Sequence, residues 1–94
     1  MMSEKQNRFL KQHQKALDKV SGAHSLYDYI GAVKYVYSLA VRYHANMRKY
    51  LDESSPYFSK MIEAKILSPW KNTYWFDKQT AEDLQIFLVE NGIR

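Results

Sequence analysis

The chain has 94 residues, 46% of them hydrophobic and 15% aromatic, with no cysteine and a net charge of +4. That describes one small domain with enough apolar surface to fold, which excludes disorder, disulfides and thiolate metal sites and points to the cytoplasm. The charge is uneven: residues 1–24 carry +3, residues 25–53 carry +1 and residues 54–94 balance to zero.

Ser3 to Val20 has the periodicity of a helix, with Ser3 and Gln6 at capping-box spacing. Phe9, Leu10, His13, Ala16, Leu17 and Val20 share one arc of the wheel, and Lys5, Arg8, Lys11, Lys15 and Lys19 share an opposing one. This basic stripe suits phosphate contacts, or else a solvated face. The opening MMSEKQNRFLKQHQK lacks the apolar stretch of a signal peptide, and no apolar run reaches the ~20 residues that cross a bilayer. No membrane partner is expected.

Ser21-Gly22 stops the first helix. Ser25, with Asp28 as its cap partner, opens a second segment, and apolar residues recur from Leu26 to Leu51 around more than half of the wheel. A helix apolar that far round packs on two sides, so a long central helix over residues 25–53 is expected. Its β-branched and aromatic run has strand-like composition, but the period and the lack of turn signals favour helix. Gly31 weakens its first turns.

Ser55 before Pro56 is an N-cap followed by proline at the first helical position. Phe58, Met61, Ile62 and Ile66 recur at helical spacing, leaving Tyr57, Ser59, Lys60 and Glu63 outward until Pro69 ends the segment. Trp70 and the run Tyr74-Trp75-Phe76 then flank Lys71-Asn72-Thr73. A hairpin turning at Asn72-Thr73 and an irregular aromatic loop both fit this pattern. Thr80 with Asp83 caps a last helix, striped by Leu84, Phe87, Leu88 and Asn91 and stopped by Gly92. The fold class is therefore mainly α, a single domain of four helices with a short β-hairpin, or wing, between the third and fourth.

Residues 54–94 have the order of a winged helix-turn-helix. Tyr50-Leu51 ends the anchoring helix, residues 52–55 make the turn, and Pro56 to Lys65 presents Tyr57, Ser59 and Lys60 to a groove. A wing at residues 71–73 places Lys71 on phosphate and Asn72 within hydrogen-bonding reach of the same duplex. The plainer account is a helix, a loop and a helix closing a small bundle, with Asp52, Glu53 and Glu63 repelling phosphate.

The stretch SPYFSKMIEAKILSPWKNTYWFDKQTAEDL resembles the winged-helix module of MerR-type regulators and phage excisionases. Leu67-Ser68-Pro69 matches that family's hinge, Tyr74 to Phe76 its aromatic wing strand, and Asp83-Leu84 the opening of its next helix. The resemblance covers about residues 55–84 and implies duplex DNA binding through Tyr57, Ser59, Lys60 and Lys71, in a regulator or an accessory factor of a phage or mobile element. Lys65 stands where the family has glycine, the wing lacks the family's glycine and arginine, and the anchoring helix is longer than the family's.

No catalytic constellation is legible. The acids form no obvious pair for acid–base work, the chain has only three glycines and no phosphate loop, and the one histidine with an acid four residues on, His24 with Asp28, sits in a loop. His13 and His44 fall on apolar stripes and read as core residues. Neither an enzyme nor a cofactor or small-molecule substrate is expected. The rival expectation is a helical protein-interaction module, such as an immunity, inhibitor or host-takeover factor, binding through Trp70, Tyr74 and Trp75. A homodimer through the apolar face of the central helix is a third.

Overall fold

The computed structural model describes residues 4–93, with the side chain of Lys5 left out of the description. The expected Ser3 cap and any Lys5 contact lie outside the described residues. In chain order come α1 (Glu4–Ser21), α2 (Leu26–Tyr43), a 3-10 turn (Met47–Lys49), α3 (Pro56–Glu63), β1 (Leu67–Trp70), β2 (Thr73–Phe76) and α4 (Lys78–Glu90). This is the mainly α fold with four helices and a short hairpin between the third and fourth. Among the described residues no helix is long and apolar enough to cross a membrane.

α2 is the central element, and α1, α3 and α4 all pack on it. Ser25 caps it by accepting the Asp28 N–H at 3.1 Å. Tyr29, Ile30, Val33 and Val36 are fully buried along it, as its broad apolar face requires. α1 docks through Ala16 and Val20, while Leu10, although in the apolar arc, is 45% exposed.

The central helix is shorter than its periodicity suggests. His44 takes a left-handed φ of 53°, and its N–H and that of Ala45 both bond the Ala40 carbonyl, which closes the helix. Asn46 then caps the 3-10 turn by accepting the Arg48 N–H at 2.9 Å. Met47, Tyr50 and Leu51 are buried as the apolar period requires, but they come from this turn and the bend after it. His44 itself is exposed rather than in the core, because it forms the corner.

α3 ends in a Schellman motif built on a lysine. Lys65 has φ 62°, its N–H bonds the Ile62 carbonyl, and the Ile66 N–H bonds the Met61 carbonyl, both at 3.0 Å. Met61 and Ile66 are both fully buried, as that motif's apolar contact needs. α4 starts earlier than expected. Asp77, not Thr80, is the cap, and it accepts the Thr80 N–H at 3.1 Å. Ala81 and Leu88 carry its buried face, whereas Phe87 is 53% exposed and corrects the expected stripe.

Candidate nucleic-acid interface

Ser55 holds the start of α3 by accepting the Tyr57 N–H at 3.2 Å, with Pro56 in the first turn. Phe58 and Met61 are buried and fasten the helix to the core. The Phe58 ring meets Tyr74 of β2 edge-on, with centroids 5.2 Å apart, so helix and hairpin are packed as one unit. Ser59, Lys60 and Glu63 are exposed on the other side. Tyr57 is not fully outward: it is half-buried, with its ring 5.9 Å from that of Tyr29, so only part of it is open to a ligand.

The turn before α3 carries two acids whose charges are partly occupied. Asp52 accepts both the N–H and the hydroxyl of Ser54, at 3.0 and 2.5 Å. Glu53 takes the Arg48 guanidinium at 2.8 Å in an exposed ion pair, of a kind worth at most about 1 kcal/mol. Burial, and then the Glu53 carboxylate, push the Tyr74 hydroxyl above its ordinary value. The Tyr29 hydroxyl is shifted upward much further, mainly by burial and then by Asp52, and it meets no hydrogen-bond partner among the described residues.

Residues 67–76 form a two-stranded antiparallel ribbon, with Leu67 opposite Phe76 and Trp70 opposite Thr73. The two-residue turn is therefore Lys71-Asn72, one residue earlier than the sequence suggested. Lys71 has φ 52°, the left-handed setting that such turns need and glycine normally supplies. Lys71 thus sits at the wing tip, with Nζ 5.6 Å from the Trp70 ring centroid. Asn72 is exposed, and its carbonyl accepts a 2.9 Å bond from Asn46 Nδ2. That bond fixes the tip against the corner at the end of α2.

Strand alternation divides the aromatic trio. Leu67 and Phe76 face inward and are buried, and Tyr74 shares their face, half-buried against Phe58. Trp70 and Trp75 point the other way, 57% and 65% exposed. They lie diagonally across the ribbon on the same face. Tyr74 therefore belongs to the packing between α3 and the hairpin, and the outward patch is the two tryptophans.

At the corner of α2 the packing gathers further bases beside Lys71. Phe9 of α1 meets Tyr43 edge-on at 4.9 Å, and His13 Nδ1 lies 3.0 Å from the Tyr50 hydroxyl. His13 is thus a hydrogen-bonded, half-buried residue, as its place on the apolar stripe predicts. The Lys49 ammonium lies over both Phe9 and Tyr50, 6.0 and 5.5 Å from their centroids. Arg42, Arg48, Lys49 and Lys71 therefore belong to the same end of the molecule. The missed signal is the acid-free run from Tyr29 to Leu51.

On α1, Arg8, Lys11, Lys15 and Lys19 are exposed. Arg8 lies 3.8 Å from Glu4. Lys15 and Lys19 both approach the Tyr35 ring of α2. No three His, Asp or Glu side chains cluster as a metal site among the described residues. No family model, curated protein or solved structure matches the chain.

Proposed function

We propose that the protein binds duplex DNA through the unit formed by α3 and the hairpin, as a minimal winged helix-turn-helix. The observation that carries this reading is α3 itself, pinned by Phe58 and Met61 while Ser59 and Lys60 stay exposed, and followed by a packed hairpin tipped with Lys71 and Asn72. Ser59 and Lys60 sit where a recognition helix meets base edges and phosphate, and Lys71 is the wing's phosphate contact. The left-handed Lys65 supports the same reading, since it occupies the position at which the resembled family carries glycine. The element before the turn is the 3-10 turn Met47–Lys49, packed on β2, and not the long anchoring helix expected there. Such a protein regulates, recruits or bends DNA and has no need of a catalytic group or cofactor; a cytoplasmic setting fits that role.

A salt-titrated duplex-binding assay tests this. Lys60→Ala and Lys71→Ala should each weaken binding and flatten the salt dependence by about one phosphate contact, near 0.9 in the log–log slope. No binding at low salt, or binding indifferent to both substitutions, sinks the reading.

The exposed Trp70 and Trp75 favour a second reading, a protein-interaction module that docks a partner on the outer face of the ribbon. Trp70→Ala with Trp75→Ala separates the two. Intact DNA binding by this variant supports the first reading, and loss of a protein partner with the fold retained supports the second.

A further inference from the structure

Residues 5–17 and residues 29–51 contain eight basic side chains and no acidic one. α1 packs the first run against residues 29–43 of the second, the part that lies in α2. On the seam between them, the ammonium groups of Lys15 and Lys19 lie 5.6 and 5.4 Å from the centroid of one ring, Tyr35. Neither lysine makes an ion pair among the described residues. Beside them runs a groove of about 200 Å³ lined by Gln12, Tyr35, Ser38, Leu39 and Arg42. Arg42 is exposed and likewise makes no ion pair among the described residues.

Arg42 lines this cleft beside the neutral Gln12 and Ser38, and Lys15 and Lys19 reach its edge at Tyr35, with Asp18 and Asp28 in the neighbouring groove on the far side of Lys19. A cleft lined by one sign of charge focuses potential and concentrates counter-ions. The apolar part of its lining, Leu39, is 4% exposed and offers nothing for insertion among lipid tails. We propose that this α1–α2 groove binds the phosphodiester backbone of nucleic acid, with Lys15, Lys19 and Arg42 on phosphates. The inference rests on the DNA-binding reading for its ligand, but assigns a further, sequence-independent part of the affinity to a face separate from α3.

The test is anisotropy of a short labelled duplex between about 50 and 200 mM salt. The double variant Lys15→Gln/Lys19→Gln should reduce the log–log salt slope by about 1.8, and Arg42→Gln by about 0.9, equally on unrelated sequences. Lys78→Gln, an exposed base at the start of α4, serves as the control and should leave the slope unchanged. A fall with Lys78→Gln as large as with the groove variants would show that net charge alone matters, and would overturn the site. An unchanged slope in the groove variants, with Lys60→Ala and Lys71→Ala still effective, overturns the groove and leaves the α3 reading standing. The reverse pattern supports the groove and removes the α3 reading. Binding to vesicles of anionic phospholipid with none to the duplex overturns the proposal. All the substituted residues are exposed, so circular dichroism should show an intact fold in every variant.

Discussion

Lys65→Gly should stabilise this protein although it deletes a charged side chain and adds no contact. Lys65 is held at φ 62° by the two bonds that close α3, Lys65 N–H to Ile62 and Ile66 N–H to Met61. A residue with a Cβ held left-handed costs roughly 1–2 kcal/mol. Glycine removes that strain but gives the unfolded chain more freedom, which takes back about 0.4–1 kcal/mol. The net gain lies between about 0 and 1.6 kcal/mol, centred near 0.8 kcal/mol, and for a chain of this size that central value raises Tm by about 3–6 °C. Thermal unfolding followed by circular dichroism measures it. Lys65→Ala is the companion variant; it keeps a Cβ in the same setting and should bring no comparable gain. A Tm that is unchanged or lower in Lys65→Gly would refute the strain argument and with it the account of how α3 is turned into the hairpin.

Tyr29→Phe removes a buried hydroxyl that has no partner among the described residues, so stability near neutral pH should hold or rise, by up to about 1 kcal/mol. The raised Tyr29 phenol also sets a pH dependence. The unfolded chain ionises near pH 10 while the folded site resists, so stability present below pH 10 falls as the pH rises beyond it. Melts across that range should show a shallower fall for Tyr29→Phe, and an identical fall would contradict the assignment. On α4, Leu88→Ala should cost about 2–5 kcal/mol in a denaturant titration because Leu88 is 4% exposed. Phe87→Ala, at a 53% exposed position, should cost under about 1 kcal/mol; equal losses would restore Phe87 to the core.

Local chemistry made much of this fold legible in the sequence. Ser25 and Ser55 cap helices because a side-chain oxygen meets a free N–H there, Pro56 fits a first turn, and Gly92 adopts φ 68° past the end of α4. Other features were not legible, and two of them share a cause. His44 and Lys71 take left-handed backbone settings that sequence reading reserves for glycine, so the end of α2 and the exact hairpin turn were misplaced. The apolar period did foresee burial of Met47, Tyr50 and Leu51, but burial does not say which element supplies it. Phe87 was misassigned because hydrophobicity ranks it above Ala81, whereas Ala81 takes the buried place on α4.

The proposed site was legible at Ser59 and Lys60, where helical spacing alone turns a side chain outward. Tyr57 was less so, because its partial burial depends on Tyr29, 28 positions away in the chain. Trp70, Tyr74 and Trp75 looked like one patch until strand alternation sent Tyr74 to the opposite face. The basic corner around Arg42, Arg48 and Lys49 was readable only as an absence of acids, since its residues meet through the Asn46–Asn72 bond and the Phe9–Tyr43 contact.

The central claim, that α3 and the wing meet DNA, is tested most directly by following backbone amide signals by NMR while duplex is added at low salt. The account predicts shifts at Ser59, Lys60, Lys71 and Asn72, beside those at the α1–α2 groove, reversed by raising the salt. No shift at any ratio of duplex to protein, or shifts that leave residues 57–60 and 71–72 untouched, would contradict it.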